Sequence, residues 1–321
     1  MNRRSTSYQA AKPKLSFVAN YLADLNRSKE LLLILSPVIV YYVIFHYIPM
    51  AGVLVAFQDF KGFDGIREFF QGPWVGFKWF THFFDSLYFT RLIRNTLLLS
   101  TYGLFWGFPF PILFALLLNE IKTGLYKRTI QTLSYLPYFI SIVIVVGMVH
   151  NFLSPQYGIV NIFLQKIGIQ PIHFMLNPSW FRTVYIASGI WQGFGFGSII
   201  YLAALSGIDP TLYEAAEIDG AGRLKKIRHV SIPGMLPTII ILLILALGNL
   251  MSVGFEKVLL MYNPATYETA DVISTYVYRA GIVEARFSFA AAIGLFNSVI
   301  NFALLVAVNY LSKKVSSISL W

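Results

Sequence analysis

Cysteine is absent from all 321 residues, which excludes disulfides, cysteine-ligated metal and thiol catalysis. Charge is scarce: only 12% of residues are Asp, Glu, Lys or Arg, against about 25% in a soluble domain. No G-x4-G-K-[ST] phosphate loop occurs, so the chain is not its own ATP engine. The five histidines (His46, His82, His150, His173, His229) include no i, i+4 pair, so no metal site is expected. There is no low-complexity tract and no internal repeat beyond the alternation of apolar runs. Nor is there a convergent Ser/His or His/Asp/Glu set on facing segments, as a membrane-embedded enzyme would need.

What fills the chain is apolar: 56% of residues are hydrophobic. Several runs approach or exceed the roughly 20 residues that cross a bilayer. They are continuous rather than alternating about every 10 residues, which argues against a barrel. The expected fold class is all-α, a polytopic membrane protein with six transmembrane helices. The spans are expected at 31–55, 92–118, 129–153, 183–206, 236–255 and 287–311. Prolines 37, 49, 109, 111 and 137 fall in or near spans. Such prolines kink helices and are tolerated when neighbours satisfy the freed carbonyls.

The net charge of +10 would suggest nucleic acid in a soluble protein. Here cationic flanks orient helices, and no nucleic-acid partner is expected. The N-terminus is basic (Arg3, Arg4, Lys12, Lys14, Arg27, Lys29), but its apolar run starts only near Leu31. It also lacks a small-residue cleavage site, so it reads as a retained span rather than a signal peptide. Short segments on one side hold 15 Lys and Arg, and longer loops on the other hold 9. The positive-inside tendency makes the first side cytoplasmic, with both termini. Residues 1–30 are then a cytoplasmic segment, 31–311 the transmembrane domain and 312–321 a cytoplasmic tail. The Asn26-Arg27-Ser28 sequon falls on the cytoplasmic side and is discounted. Trp74, Trp79, Trp106 and Trp180 lie near span ends, as interfacial aromatics do.

The loop at 207–233, between the fourth and fifth spans, is longer and more charged than a turn requires. Asp209 is a good N-cap, with Pro210 at the first helical position. A helix is expected over Thr211–Asp219, stopped by Gly220, since glycine enters the left-handed region cheaply. A second, basic turn follows (Arg223, Lys225, Lys226, Arg228), ended by Pro233. Leu212, Ala215, Ala216 and Asp219 share one face, and Glu214 and Glu217 another. This loop is either a docking surface for a cytoplasmic partner or an amphipathic helix resting on lipid headgroups.

Glu214-Ala215-Ala216, three residues, Gly220, then Val230-Ser231-Ile232-Pro233 resembles the E-A-A-x3-G-x9-I-x-L-P signature of ABC importer permease subunits. The likeness extends over about 30–311. Ser36-Pro37 and Tyr47-Ile48-Pro49 look like the first span of sugar-type permeases. Arg94-Asn95-Thr96-Leu97, Leu116-Leu117-Leu118-Asn119 and Leu136-Pro137 are similar to the second and third. Phe255-Glu256-Lys257, Ile273 through Arg279, and Ser288 through Ala292 look like the branch importing oligo- and polysaccharides. The resemblance implies a bacterial plasma-membrane importer of type I. Its partners would be a second permease of a different chain, two ATP-binding subunits carrying ATP and Mg, and an extracytoplasmic solute-binding protein. It implies no cofactor on this chain and a coupling helix that inserts into the ATPase, with Glu214, Ala215, Ala216, Asp219, Gly220 and Pro233 as its residues. Ile227 stands where many relatives have phenylalanine.

An ion-driven secondary transporter is the competing reading. Such proteins bury carboxylates near the bilayer centre, whereas Glu120 and Glu256 sit at span ends. Trp191 and Gln192 in the fourth span, Asn249 and Ser252 in the fifth, and Asn297 and Asn301 in the sixth are candidates for the substrate pathway. Amides and an aromatic ring suit sugar hydroxyls and ring faces. The same residues serve equally as interhelical ties. Gly193 through Gly197 lack strand-turn-helix context and read as close packing or a flexible joint.

Overall fold

A computed structural model describes residues 28–62 and 65–316. The remaining parts of the expected tails, including the whole basic cluster from Arg3 to Arg27, lie outside the described residues. Among those described there is no β-strand, only one isolated bridge between Gln58 and Trp74. Five helices are long and apolar enough to cross a membrane, and a sixth span is formed if one bent pair is counted as one.

The chain divides into two units at Leu54 and Val55. In the first, α1 (Lys29–Tyr42) contains Pro37 and runs on through a π turn (Val43–Tyr47). The freed proline carbonyl position does not end the helix. Its apolar side chains from Leu31 to Met50 are largely exposed, as a surface meeting lipid or another chain would be. His46 stacks on Tyr42, centroids 4.9 Å apart.

The second unit begins with two short helices, α2 (Ile66–Gln71) and α3 (Lys78–Phe84). The second span is α4 (Phe89–Gly107) followed by α5 (Pro109–Asn119), joined at Phe108. The third span is not the straight helix expected over 129–153. Helix α6 (Leu125–Tyr135) and a 3-10 turn (Leu136–Phe139) meet α7 (Ile142–Phe152) at 99°. Pro137 loosens the first segment, and Ser141 starts the second by accepting from the Ile144 N–H at 3.4 Å. A short helix, α8 (Ile159–Lys166), follows.

Helix α9 (Pro178–Ser206) is the fourth span and the axis of the unit. Asn177 caps it, its side chain accepting from the Ser179 N–H at 3.0 Å, and Pro178 occupies its first turn. Its 29 residues rise about 44 Å. The glycine run inside it is helical throughout. It packs closely at two of its glycines: a Cβ on Gly195 would lie 1.9 Å from Ser134 O, and one on Gly197 3.3 Å from Pro111, while Gly193 is open.

Helix α10 (Pro210–Ile218) leads to α11 (Arg223–Lys226), a π turn (Ile227–Ser231) and α12 (Ile232–Gly248). The fifth span is therefore one run from Arg223 to Gly248, not 236–255. Pro233 does not end the basic turn; it sits in the first turn of α12. The π turn, closed by the Ile232 N–H on Ile227 O, lets the helix continue where proline offers no donor. Five short elements precede the last span: α13 (Phe255–Met261), a 3-10 turn (Pro264–Thr266), α14 (Tyr267–Ala270), α15 (Ile273–Tyr278) and a π turn (Arg279–Val283). The sixth is α16 (Phe287–Ser316).

Three apolar clusters hold this unit together. Phe83, Leu92, Ile273, Tyr276 and Phe289 join α3, α4, α15 and α16. Leu99, Val146, Phe181, Val258 and Val272 join α4, α7, α9 and α13. Ala115, Tyr201, Leu205 and Met235 join α5, α9 and α12 beneath the 207–233 loop.

Candidate functional site

The loop forms the expected helix-Gly-helix. Asp209 caps α10 by accepting from the Thr211 N–H at 2.9 Å, and that amide holds its carboxyl below the usual carboxylate range. At the other end Gly220 has φ +72°. The Ala221 N–H bonds Ala216 O at 2.9 Å and the Gly220 N–H bonds Glu217 O at 3.0 Å. This is a Schellman closure with the glycine at its left-handed position. Two side-chain ties fix the second arm. Lys226 Nζ donates to Glu217 Oε1 at 2.6 Å, which lowers the Glu217 carboxyl through that bond and the lysine charge. Tyr213 and Ser231 hydroxyls meet at 3.0 Å. Ile208 fills the space over Gly234, where a Cβ would approach within 2.4 Å of Ile208 Cδ1.

Glu214, Ala215, Asp219, Gly220 and Pro233 are exposed, and Ala216 is half-buried. Beside them Ile218 and Leu224 are 88% and 82% exposed. The sequence pattern did not single these two out. Two exposed aliphatic side chains thus flank the charged turn.

The polar candidates in the spans take different places. Gln192 Nε2 donates to Ile140 O at 3.0 Å, satisfying a carbonyl freed at the break in the third span. Its neighbour Trp191 is exposed. Asn301 and Ser252 come together: Asn301 Nδ2 donates to Ser252 Oγ at 2.9 Å, and Asn301 Oδ1 accepts from the Met251 N–H at 2.9 Å. Asn249 is exposed and donates to Leu245 O one turn back in α12. Asn297 Oδ1 is buried and has no hydrogen-bond partner among the described residues. Asn301→Leu is expected to lower the melting temperature of the purified protein and all of its activities in proportion, because it unties α16 from the end of α12. Transport lost at unchanged melting would instead give Asn301 a direct part in the pathway.

A buried polar network missed by sequence reasoning lies on the same flank of α9. Asp271 is fully buried. Its carboxylate accepts from Arg279 Nη2 at 2.7 Å, Arg91 Nη2 at 3.0 Å and Thr275 Oγ1 at 3.1 Å. Asn95, also buried, donates to Glu268 O and Asp271 O and accepts from Arg182 Nη2 at 2.9 Å. The network joins α4 and α9 to the segment before the sixth span. Nearby, Lys257 is 8% exposed. Its ammonium donates to Tyr185 O at 2.7 Å and lies 4.8 Å from that ring. Burial pushes it down to about 8. Among the described residues no group of three His, Asp or Glu side chains could hold a metal ion.

Residues 107–317 match the family described as Binding-protein-dependent transport system inner membrane component. Protein LplB of Bacillus subtilis is 42% identical over 295 residues, covering 92% of each chain. The polygalacturonan/rhamnogalacturonan transport system permease protein YteP of the same organism is 42% identical over 293 residues, covering 91% of this chain and 90% of its own. Among solved structures, a chain of a bacterial ABC transporter involved in the import of the acidic polysaccharide alginate superposes with TM-score 0.85 at 45% identity. That match covers 92% of this chain and 99% of the other. A chain of a bacterial alginate ABC transporter in complex with an alginate pentasaccharide-bound periplasmic protein superposes with TM-score 0.85 at 44% identity, covering 93% of this chain and 99% of the other. The ion-driven alternative is thereby set aside, and the subunit is non-catalytic. The chain belongs to the Binding-protein-dependent transport system inner membrane component family, as a multi-pass permease subunit of an ATP-driven ABC importer.

Proposed function

We propose that this permease imports oligosaccharides or polysaccharide fragments across the bacterial plasma membrane, and that α10-Gly220-α11 is its coupling element. The carrying observation is the rigid, exposed hairpin: capped by Asp209, closed at Gly220, tied by Glu217–Lys226 and bare at Ile218 and Leu224. In this reading Glu214, Ala215, Ala216, Asp219 and Gly220 meet a groove on a cytoplasmic ATPase, and Pro233 sets the joint to the fifth span. Two such ATPases, carrying ATP and Mg, close on each other. The docked helices move, and this chain rocks against a second, different permease chain between outward- and inward-open states. No cofactor binds this chain. An extracytoplasmic binding protein delivers the saccharide. Of the pathway candidates Gln192 carries the reading furthest, because it lines a cavity beside α9, with Trp191, Asn249 and Asn297 placed along the same path, while Asn301 and Ser252 serve as a tie between α16 and the end of α12.

Co-purification from native membranes, followed by mass spectrometry, tests this reading. It should bring down an ATPase and a sister permease; a chain recovered alone, with neither, would defeat it. The orientation carries its own expectation. Residues 1–30, 207–233 and 312–321 are cytoplasmic, as is the loop at Lys122. Lys122→Cys, in a chain with no other thiol, should resist an impermeant maleimide in intact cells and react after lysis. Labelling in intact cells would reverse the topology.

A further inference from the structure

Two cavities lie side by side along α9. One, about 450 Å³, is lined by Tyr102, Trp106, Phe110, Arg182 and Thr183 among others. The second, about 380 Å³, is lined by Gly103, Gly107, Tyr185, Gln192 and Lys257 among others. They share Ile186 and Ile190, so they form one groove between α9 and the α4–α5 pair. Its charged lining is of one sign: Arg182 at one end and Lys257 at the other, with no carboxylate lining either cavity.

Neither cation has a carboxylate at ion-pair distance among the described residues. Arg182 gives one N–H to Asn95, while its Nε is buried without a partner among the described residues. Lys257 gives one N–H to a backbone carbonyl and has two donors more. Holding cations without an ion-paired carboxylate costs free energy, and within a membrane protein such groups mark a ligand path. The Asp271 network beside them makes the contrast: there one buried carboxylate meets two guanidiniums, so the fold supplies counter-charge where it needs only a tie.

The geometry suits one kind of ligand. A Cβ on Gly189 would stand 3.1 Å from Lys257 Nζ, which places the ammonium against α9 two turns beyond Arg182. That separation is about 11 Å along the helix, the scale of a short saccharide rather than a single ring. Opposite, Tyr102 and Trp106 are 44% and 56% exposed and offer ring faces. Planar guanidinium and compact ammonium both bind carboxylate strongly when water is excluded.

We propose that this groove binds an acidic saccharide, with carboxylates held by Arg182 and Lys257 and sugar rings laid on Tyr102 and Trp106. The proposal rests on the importer reading and adds the charge of the cargo and the residues that select it.

The test uses the complete importer in proteoliposomes with its own binding protein, which is kept constant. The probes are a hexuronic acid trisaccharide and its neutral methyl ester. The wild type should take up the acid in preference to the ester. Arg182→Gln and Lys257→Gln should each lower the acid-to-ester uptake ratio about tenfold, the effect of losing one charged hydrogen bond. Lys257→Arg should keep the preference, which separates charge from packing. A wild type that prefers the ester, or an acid-to-ester ratio unchanged in both glutamine variants, would overturn the proposal. Failure of the importer reading looks different: the chain would purify without an ATPase, whatever the probe.

Discussion

Replacing Asp271 with alanine is expected to destabilise the purified protein by about 3–5 kcal/mol, the cost of removing one partner from a buried ion pair. Asp271 is fully buried and takes hydrogen bonds from Arg91, Arg279 and Thr275. Without it, two part-exposed guanidiniums are left facing each other. The backbone follows, because Asn95 is anchored on Asp271 O and Arg182 on Asn95. The loss therefore spreads from the 267–278 segment to α4 and α9. Asp271→Asn keeps the shape and loses the charge, so it should fall between. Arg279→Met in the alanine background should recover part of the loss, since it removes one leftover cation. Thermal unfolding of the purified protein measures all three. An unchanged melting temperature for Asp271→Ala would show that the network carries no stability.

Asp271 also shows where sequence reading stopped. The spans are legible because each is a run of apolar residues with basic flanks, and α9 and α16 appear close to where they were expected. The polar network is not legible, because its parts are far apart in sequence. Arg91 and Asp271 are 180 residues apart, Arg182 and Asn95 87. In one dimension Asp271 is a loop residue between two spans, and Arg91, Arg182, Arg279 and Lys257 are merely charges outside the membrane. Only the fold of 255–283 back onto α4 and α9 turns them into buried groups. Arg279, eight residues after Asp271, was a signal of pairing that spacing alone leaves weak.

Breaks within spans were half legible. Pro137 announced a disturbance, but not a bend of 99°. The size of the bend depends on Ser141 starting a new helix and on Gln192 reaching across to Ile140 O, which is a tertiary contact. Pro233 misled in the other direction. A proline usually marks a boundary, yet a π turn just before it carried the helix through. The amides read as pathway candidates show the same limit. Asn301 was recognisable as a polar residue in a span, while its bond to Ser252 depends on where α12 ends.

The 207–233 loop was the most legible part, because its signals are local: an N-cap, a helix-start proline and a left-handed glycine each act within a few residues. That locality makes its variants sharp. Gly220→Val and Glu214→Lys are both expected to insert normally and keep a wild-type melting temperature to within about 2 kcal/mol of stability, yet to lose most ATPase association and transport. No atom outside the immediate chain lies within 4 Å of the Cβ position at Gly220, so valine clashes with nothing distant. Its effect is on the backbone alone, where φ +72° disfavours a β-branched residue by about 1–2 kcal/mol. That is enough to open the Schellman closure and swing α10 away from α11, while the apolar clusters beneath remain. Gly220→Asn tolerates the left-handed region and should retain most of the coupling, which separates backbone angle from side-chain bulk. Glu214→Lys leaves the backbone as it is and reverses an exposed charge, so its loss should ease at high salt as screening grows, whereas that of Gly220→Val should not. Wild-type uptake and ATP hydrolysis in both variants would remove the coupling role from this hairpin and leave family membership, which stands on the whole chain, untouched.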